Sequence, residues 1–188
     1  MNRGLHLRWC ILLIVSVLIA GCNTPESDME PQDAGDTGVT NSIDLPQAGI
    51  AGGGSLVDAL AQRRSIREYE QLPLDITEIS ELLWAAQGVT SAAGHRTAPS
   101  AGALYPLELY LITQEGQYRY DPNHHQLAVL GRGDVRADLS RAALSQEAVE
   151  RAPAIFVLTA VYSRTEQKYG ERGDLYVKLE AGHAAQNL

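Results

Sequence analysis

The sequence predicts one domain in which helices and strands are mixed, and three patterns carry that expectation. Leu107, Leu109 and Leu111 alternate onto one face, as in a half-buried strand. Ala154-Ile155-Phe156-Val157-Leu158-Thr159-Ala160-Val161 is a continuous apolar run, which suits a central strand buried on both faces. Stretches at 55–61 and 75–88 combine capping residues with apolar side chains at helical spacing. At 188 residues, 45% hydrophobic and 20% charged, the chain has the size and composition of a single globular domain.

The first residues stand apart from that domain. Arg3 and Arg8 make a basic start, Cys10 to Ile19 is apolar, and Ile19-Ala20-Gly21-Cys22 follows, so 1–21 reads as an export signal with a lipobox. Its apolar run is shorter than the roughly 20 residues a membrane span needs. The segment resembles the leader of bacterial lipoproteins, which implies that Cys22 is acylated and becomes the mature N-terminus. Asn23 behind it favours the outer membrane or cell surface. Removing two arginines and no acids takes the net charge from −8 to −10, which argues against nucleic acid and leaves the lipid anchor as the membrane contact. With Cys22 committed to lipid, the folded part has no disulfide, thiolate nucleophile or thiolate metal site. Residues 22–54 hold the lipidated Cys22 and a Pro/Asp/Gly/Ser/Thr-rich stretch without Lys or Arg, which reads as a flexible acidic tether. Gly52-Gly53-Gly54 lacks the following Gly-Lys-Ser/Thr of a phosphate loop.

Folded sequence is expected over 55–188. Ser55 is an N-cap with Asp58 three residues on, and Leu56, Leu60 and Ala61 give the helix after it an apolar face. That helix runs into Arg63-Arg64-Ser65-Ile66-Arg67, the first basic residues after the signal. Guanidinium groups grip phosphate in a bidentate way and a hydroxyl adds a neutral donor, so this cluster suits an anion; alone it could equally be a solvated helix end. A second helix is marked by a capping box at Asp75 and Glu78, by Ile79, Leu82, Leu83 and Ala86, and by Gly88 as a stop, with Trp84 as a core or interface residue. Arg96 to Tyr110 then begins as a turn of small residues and prolines and ends as the Leu107 strand. Small side chains there allow backbone N–H groups to approach a flat or anionic ligand.

Tyr118–Asp121 and Gln126–Leu130 read as a hairpin turning at Asp121-Pro122-Asn123. His124 and His125 lie beside the turn; neighbours on a strand point opposite ways, so both are expected on the surface rather than on one metal. Asp134 to Leu144 reads as a helix followed by a short helical turn through Ala148, and Pro153 opens the apolar strand. A final helix over Leu175–Leu188 carries Glu180 and His183 at Glu-x-x-His spacing. Dimetal bundles need a second such pair and two further glutamates, so no metal is expected and Gly182 and Ala184 are expected to pack close to a neighbour.

In order along 56–188, Arg63-Arg64-Ser65-Ile66-Arg67-Glu68-Tyr69, Leu82-Leu83-Trp84-Ala85-Ala86-Gln87-Gly88, the Pro99-to-Tyr110 stretch, Lys168-Tyr169-Gly170-Glu171-Arg172 and Leu179-Glu180-Ala181-Gly182-His183-Ala184-Ala185-Gln186-Asn187 resemble the SagB-type dehydrogenase branch of the nitroreductase superfamily. The resemblance implies an α+β flavoprotein fold, a mixed sheet flanked by helices, with two FMN sites at a homodimer interface. It assigns Arg63, Arg64, Ser65 and Arg67 to the FMN phosphate and ribityl chain. Pro99, Ser100, Ala101, Gly102 and Ala103 would cover the flavin of the other subunit. Lys168 and Tyr169 match the pair that assists proton removal during two-electron oxidation of a peptide azoline to an azole.

In the family the last helix continues and a further strand region and a flavin-contacting basic segment follow, so the resemblance implies a C-terminally shortened chain, with sheet edges left open. An exported protein does not meet the cytoplasmic NAD(P)H pool, which favours a dehydrogenase passing electrons to another acceptor. Two alternatives stay open: NAD(P)H-driven nitro or quinone reduction, and a non-catalytic lipoprotein that uses the shortened fold as a binding module.

Overall fold

The computed structural model describes residues 41–49 and 54–188. The expected export signal, Cys22 and the tether up to 40 lie outside the described residues. Within them, helices pack on both faces of a five-stranded sheet, the α+β arrangement expected. The strands are β1 (Ser42–Asp44), β2 (Leu107–Thr113), β3 (Gly116–Asp121), β4 (Gln126–Arg132) and β5 (Ala154–Ala160), in spatial order β1-β4-β3-β2-β5. Where a mixed sheet was expected, every pairing between strands among the described residues is antiparallel. Short connections explain β2–β3 and β3–β4, since hairpins join antiparallel neighbours.

Three apolar clusters fix the layers. Alternation along β2 sends Leu107, Leu109 and Leu111 to one face. There Leu109 and Leu111 meet Ile79, Leu83 and Ala86 of helix α2 (Ile76–Gln87). Leu107 meets Val177 and Ala184 of helix α6 (Arg172–Asn187), with Ala98 from the preceding loop. On the other face Ile112, Ile155 and Val157 meet the helices α3 (Arg136–Ala142) and α4 (Glu147–Arg151) through Ala143, Val149 and Ala152. Burying each such leucine, isoleucine or valine stabilises the domain by roughly 1.5–3 kcal/mol.

The second helix forms as its sequence directs. Asp75 Oδ1 accepts from the N–H groups of Thr77 and Glu78 at 2.8 and 2.9 Å, Glu78 reaches back to the Asp75 N–H at 2.9 Å, and Gly88 ends the helix. The strand over 154–160 departs from expectation. Its side chains do pack on both faces, but it lies at the end of the sheet order and pairs only with β2 among the described residues. The helix α1 (Leu56–Gln62) is capped by Ser55 as expected, yet it buries no residue; Leu56, Val57 and Leu60 are all exposed.

Two further departures meet at one place. The stretch read as tether contains β1, which pairs with β4 over Ser42–Asp44, and Leu45 beyond it enters the core. His125, read as a surface residue, is what holds that segment. It sits in the turn with φ +52°, outside the strand alternation that would have turned it outward, and its ring points in. Nδ1 lies 2.8 Å from the Tyr120 hydroxyl, and Nε2 lies 2.8 Å from Ser80 Oγ and 3.0 Å from the Pro46 carbonyl. Burial pushes the Tyr120 phenol far above its ordinary range, so it stays protonated and donates to Nδ1. The Nε2–H is then left to donate toward Pro46 and Ser80, while the Ser80 hydroxyl donates to the Pro46 carbonyl at 2.5 Å. His124 does stay exposed, with Nδ1 2.6 Å from Asp121 Oδ2.

His125→Ala leaves Tyr120, Ser80 and Pro46 to rebuild this junction without a central partner. The expected loss is about 1–3 kcal/mol in urea unfolding, with faster amide exchange over 42–46. Wild-type exchange in that segment would show that the network does not hold it.

Candidate functional site

The stretch 96–106 joins α2 to β2, and α2 pins its beginning. The Thr97 N–H donates to the Gly88 carbonyl at 2.9 Å and the Thr97 hydroxyl to the Trp84 carbonyl at 3.1 Å, while Val89 and Arg96 form an antiparallel bridge. Arg96 Nη1 donates to Gln87 Oε1 at 3.0 Å, and the guanidinium lies 4.3 Å from the centre of the Tyr105 ring, a cation–π contact. Burial pulls the Arg96 pKa below its ordinary value, against the opposing charges of Tyr105, Glu180 and Glu108.

Beyond Arg96 the backbone is strained. Gly102, Ala103 and Tyr105 have φ of +64°, +54° and +45°, a conformation that costs a residue with a side chain about 1–2 kcal/mol. Specific bonds hold it. The Tyr105 N–H donates to Ser100 Oγ at 2.9 Å, the Arg96 N–H donates to the Tyr105 hydroxyl at 3.3 Å, and Arg164 Nη1 donates to the Tyr105 carbonyl at 3.2 Å. Arg164 is itself fixed by an ion pair with Glu108 of β2 at 2.7 Å. Strain that its surroundings hold in place is a feature of ligand clamps and active sites.

The loop meets the expected Lys-Tyr pair. Helix α5 (Ser163–Tyr169) ends at Gly170 and puts Lys168 and Tyr169 beside Gly102, where an added β-carbon would lie 2.7 Å from Tyr169 Oη and 2.8 Å from Lys168 Nζ. Glycine suits 102 because its left-handed φ carries no cost there and no side chain displaces the ends of Tyr169 and Lys168. Lys168 Nζ is 5.4 Å from the Tyr169 ring centre, and Tyr169 packs edge-on against Tyr176 of α6 at 5.1 Å. Lys168, Pro99 and Ala103 are exposed, and Ser100, Ala101 and Tyr169 are half-buried, so the cluster opens at the surface.

Arg63, Arg64, Ser65 and Arg67 occupy an exposed segment between α1 and α2 that is neither helix nor strand. Arg64 Nη1 donates to the Ala61 and Arg63 carbonyls at 3.0 and 2.8 Å. No carboxylate among the described residues pairs with Arg63, Arg64 or Arg67. No hydrogen bond, ion pair or cation–π contact joins this segment to Lys168, Tyr169 or the 99–103 loop. Within the described residues of one chain, then, two of the three expected groups meet at Gly102, and the third makes no such bond to them.

The sequence placed Arg96 and Tyr105 within the 96–110 stretch but gave no sign that they would brace it, and it singled out Glu180 only as half of a Glu-x-x-His pair. Glu180 and His183 do not share a face as a ligand pair: Glu180 is buried and His183 is exposed. The legible signal was a glutamate in the apolar stripe Val177–Glu180–Ala184, a place where a carboxylate needs a polar partner.

Comparison with known proteins follows the same span. A sequence model of the Nitroreductase family matches residues 60–188. A protein of Methanocaldococcus jannaschii named as a nitroreductase is 44% identical over 139 residues, covering 71% of this chain and 70% of that protein. The trifolitoxin operon protein TfxC of Rhizobium leguminosarum bv. trifolii is 27% identical over 124 residues, 55% of this chain and 35% of that one. A crystal structure named as a nitroreductase of Ralstonia eutropha superposes with a TM-score of 0.69 at 32% identity, covering 87% of this chain and 76% of that chain.

Gly102→Ala carries a side chain into a left-handed conformation and against Tyr169 and Lys168. The Lys168 amine can swing away more easily than the Tyr169 ring, so the backbone term dominates. The expected loss is about 1–2 kcal/mol, read as a lower melting temperature. An unchanged melting temperature would mean that the loop is not held in this geometry.

Proposed function

The chain belongs to the nitroreductase family, and on that premise we propose that it is an FMN-dependent oxidoreductase in which the 99–103 loop and the Lys168–Tyr169 pair face the flavin. The observation that carries this reading is the meeting at Gly102, where a small-residue loop and two proton-bearing side chains converge, Tyr169 Oη and Lys168 Nζ lying within 2.8 Å of where a β-carbon would stand.

The residues fit such a group. Arg63, Arg64 and Arg67 are exposed guanidiniums without acid partners among the described residues, and with Ser65 they would hold the phosphate and ribityl chain. Pro99, Ser100, Ala101, Gly102 and Ala103 would lie along the ring, where small side chains permit close contact. When bound, FMN supplies two-electron chemistry by accepting or giving a hydride. Lys168 Nζ and the Tyr169 hydroxyl would take or return the proton that accompanies it. By the Lys-Tyr resemblance the substrate is an organic molecule of the azoline-peptide class.

The separation of the arginine segment from the loop is supported as a two-chain arrangement by α1. This helix has seven residues, too short to be stable alone, and exposes Leu56, Val57 and Leu60. A second copy would cover it and let the loop of one subunit serve the arginines of the other. We place the protein outside the cytoplasm, tethered through Cys22. A second reading, nitro or quinone reduction driven by NAD(P)H, is favoured by the 44% identical relative's name; bleaching of bound flavin by NAD(P)H separates the two.

FMN added to the full chain and freed of excess by gel filtration is expected to stay bound with a perturbed absorbance band. Loss of the band from a folded chain would instead support a non-catalytic binding module. Arg63→Ala and Arg67→Ala should each weaken FMN binding about 10–100-fold, the worth of a charge-assisted hydrogen bond. Unchanged affinity in the double variant would remove them from the phosphate site. Lys168→Ala should slow flavin reduction without releasing FMN, and full turnover would take Lys168 out of the mechanism.

A further inference from the structure

Arg164 stands one helical turn before Lys168 on α5, and residues at that spacing share a helix face. Its guanidinium divides between two partners. Nη1 donates to the Tyr105 carbonyl at 3.2 Å, and Nη2 lies 2.7 Å from Oε1 of Glu108, which sits between Leu107 and Leu109 on β2. The next carbonyl, that of Pro106, accepts the Val161 N–H at 2.8 Å, and the Arg164 N–H donates to the Val161 carbonyl at 3.2 Å. Two successive carbonyls at the end of the loop are thus held from the β5–α5 segment, one by backbone and one by a side chain.

The backbone at Tyr105 needs such a hold. A residue before a proline is normally extended, yet Tyr105, which precedes Pro106, has φ +45°. Its other polar groups are engaged within the loop: its N–H donates to Ser100 Oγ at 2.9 Å and its hydroxyl accepts the Arg96 N–H at 3.3 Å. Those bonds close the loop on itself. The bond from Arg164 ties it to the helix that carries Lys168 and Tyr169.

We propose that Arg164 is a positioning residue that sets α5, and with it Lys168 and Tyr169, against the 99–105 loop, and that Glu108 aims its guanidinium. What this means for flavin rests on the function proposed above, whereas the coupling itself is a property of the flavin-free chain. The task suits a fork, since one nitrogen serves the carbonyl while another serves the carboxylate; a lysine ammonium is a single point charge on a flexible stem. The helix meets the loop at two points, Arg164 at Tyr105 and the Lys168–Tyr169 pair at Gly102. Two points fix the tilt of α5, where one would leave it free to pivot. The side chains of Arg164 and Glu108 are 43% and 23% exposed, and pairs this open to water add little to global stability. The role is therefore local: removing the guanidinium should free the loop and the end of α5 together and leave the sheet intact.

The test uses the full chain without flavin. Arg164→Ala keeps a strong helix former at 164, so a loss of protection there is not a loss of helix propensity. Amide exchange at Ala103 and Tyr105, and at Gly170, whose N–H bonds the Glu166 carbonyl at the end of α5, should rise together about five-fold, with β3 and β4 unchanged. Arg164→Lys should recover part of the protection, and Glu108→Gln should lose about two-fold. The double variant should match Arg164→Ala alone, because the carboxylate acts through the guanidinium. Wild-type exchange in Arg164→Ala, a rise in the loop without one at Gly170, or a double variant in which the two effects multiply would overturn the proposal. If Arg164→Ala does not fold, Glu108→Gln decides: wild-type exchange in both segments would count against the coupling. FMN titration of the same proteins keeps the readings apart. Arg164→Ala should hold FMN within about three-fold of wild-type affinity, since Arg63, Arg64 and Arg67 are untouched, but with a smaller perturbation of the absorbance band. Loosened exchange with no flavin bound even by wild type would sink the flavin reading and leave the positioning role standing; wild-type exchange in a chain that binds FMN would do the reverse.

Discussion

The antiparallel register of β2 against β5 is the constraint on which the other parts depend. Leu107 opposite Ala160, Leu109 opposite Leu158 and Leu111 opposite Phe156 place the leucines under α2 and α6 and leave Ile112 to the opposite face. A slip of one residue would exchange the two faces and put the leucines against α3 and α4. Because β2 follows the 96–106 loop directly, its register also sets where that loop leaves the core. Pro106 is buried and its carbonyl accepts the Val161 N–H at 2.8 Å, so the start of β2 and the end of β5 are locked where the strained turn of the loop ends.

The two ends of the sheet are built by different means. Around Leu83 and Leu111 the structure is held by non-directional apolar burial, which tolerates small shifts. Around Ser100 and Arg96 it is held by directional bonds among α2, the 96–105 loop, β2 and α5, which do not. Such a junction leaves Gln87 Nε2 and Glu180 Oε1 without partners, a cost that a purely apolar contact would avoid. What the directional bonds provide in exchange is one defined conformation for residues 102–105, with Ala103 and Tyr105 in a backbone region that residues with side chains rarely occupy. The His125 junction uses the same means at the other side of the sheet, tying β1 and Leu45 to α2 through Ser80.

On the surface, the features that the single chain does not explain lie close together in sequence. The exposed apolar residues of α1 and the arginines after it, which pair with no carboxylate among the described residues, fall within 56–67. Apolar side chains without cover and cations without anions are each poor ways to stabilise a monomer. Both are suited to company, the first to another protein surface and the second to an anion. Lys168, exposed at the end of α5, belongs to the same class.

The sequence by itself determined the local elements and the residue types of the site. Capping at Asp75 and Glu78, the stop at Gly88 and the alternation of Leu107, Leu109 and Leu111 were legible because they depend on neighbours within a few positions. The small-residue loop, the arginine cluster and the Lys-Tyr pair were legible as chemistry. Only the tertiary structure decided how they combine. It brought Gly102 against Lys168 and Tyr169, which lie more than sixty residues away in the chain, and buried Glu180 in the apolar stripe of α6. It placed the 154–160 strand at the end of the described sheet, because an apolar run reports burial but not the number of neighbours. It turned the His125 ring toward Tyr120, Ser80 and Pro46 because a positive φ in the turn overrides strand alternation. Sequence periodicity records which faces are buried; which distant faces meet is set by strand register and helix packing, and those come from the whole chain at once.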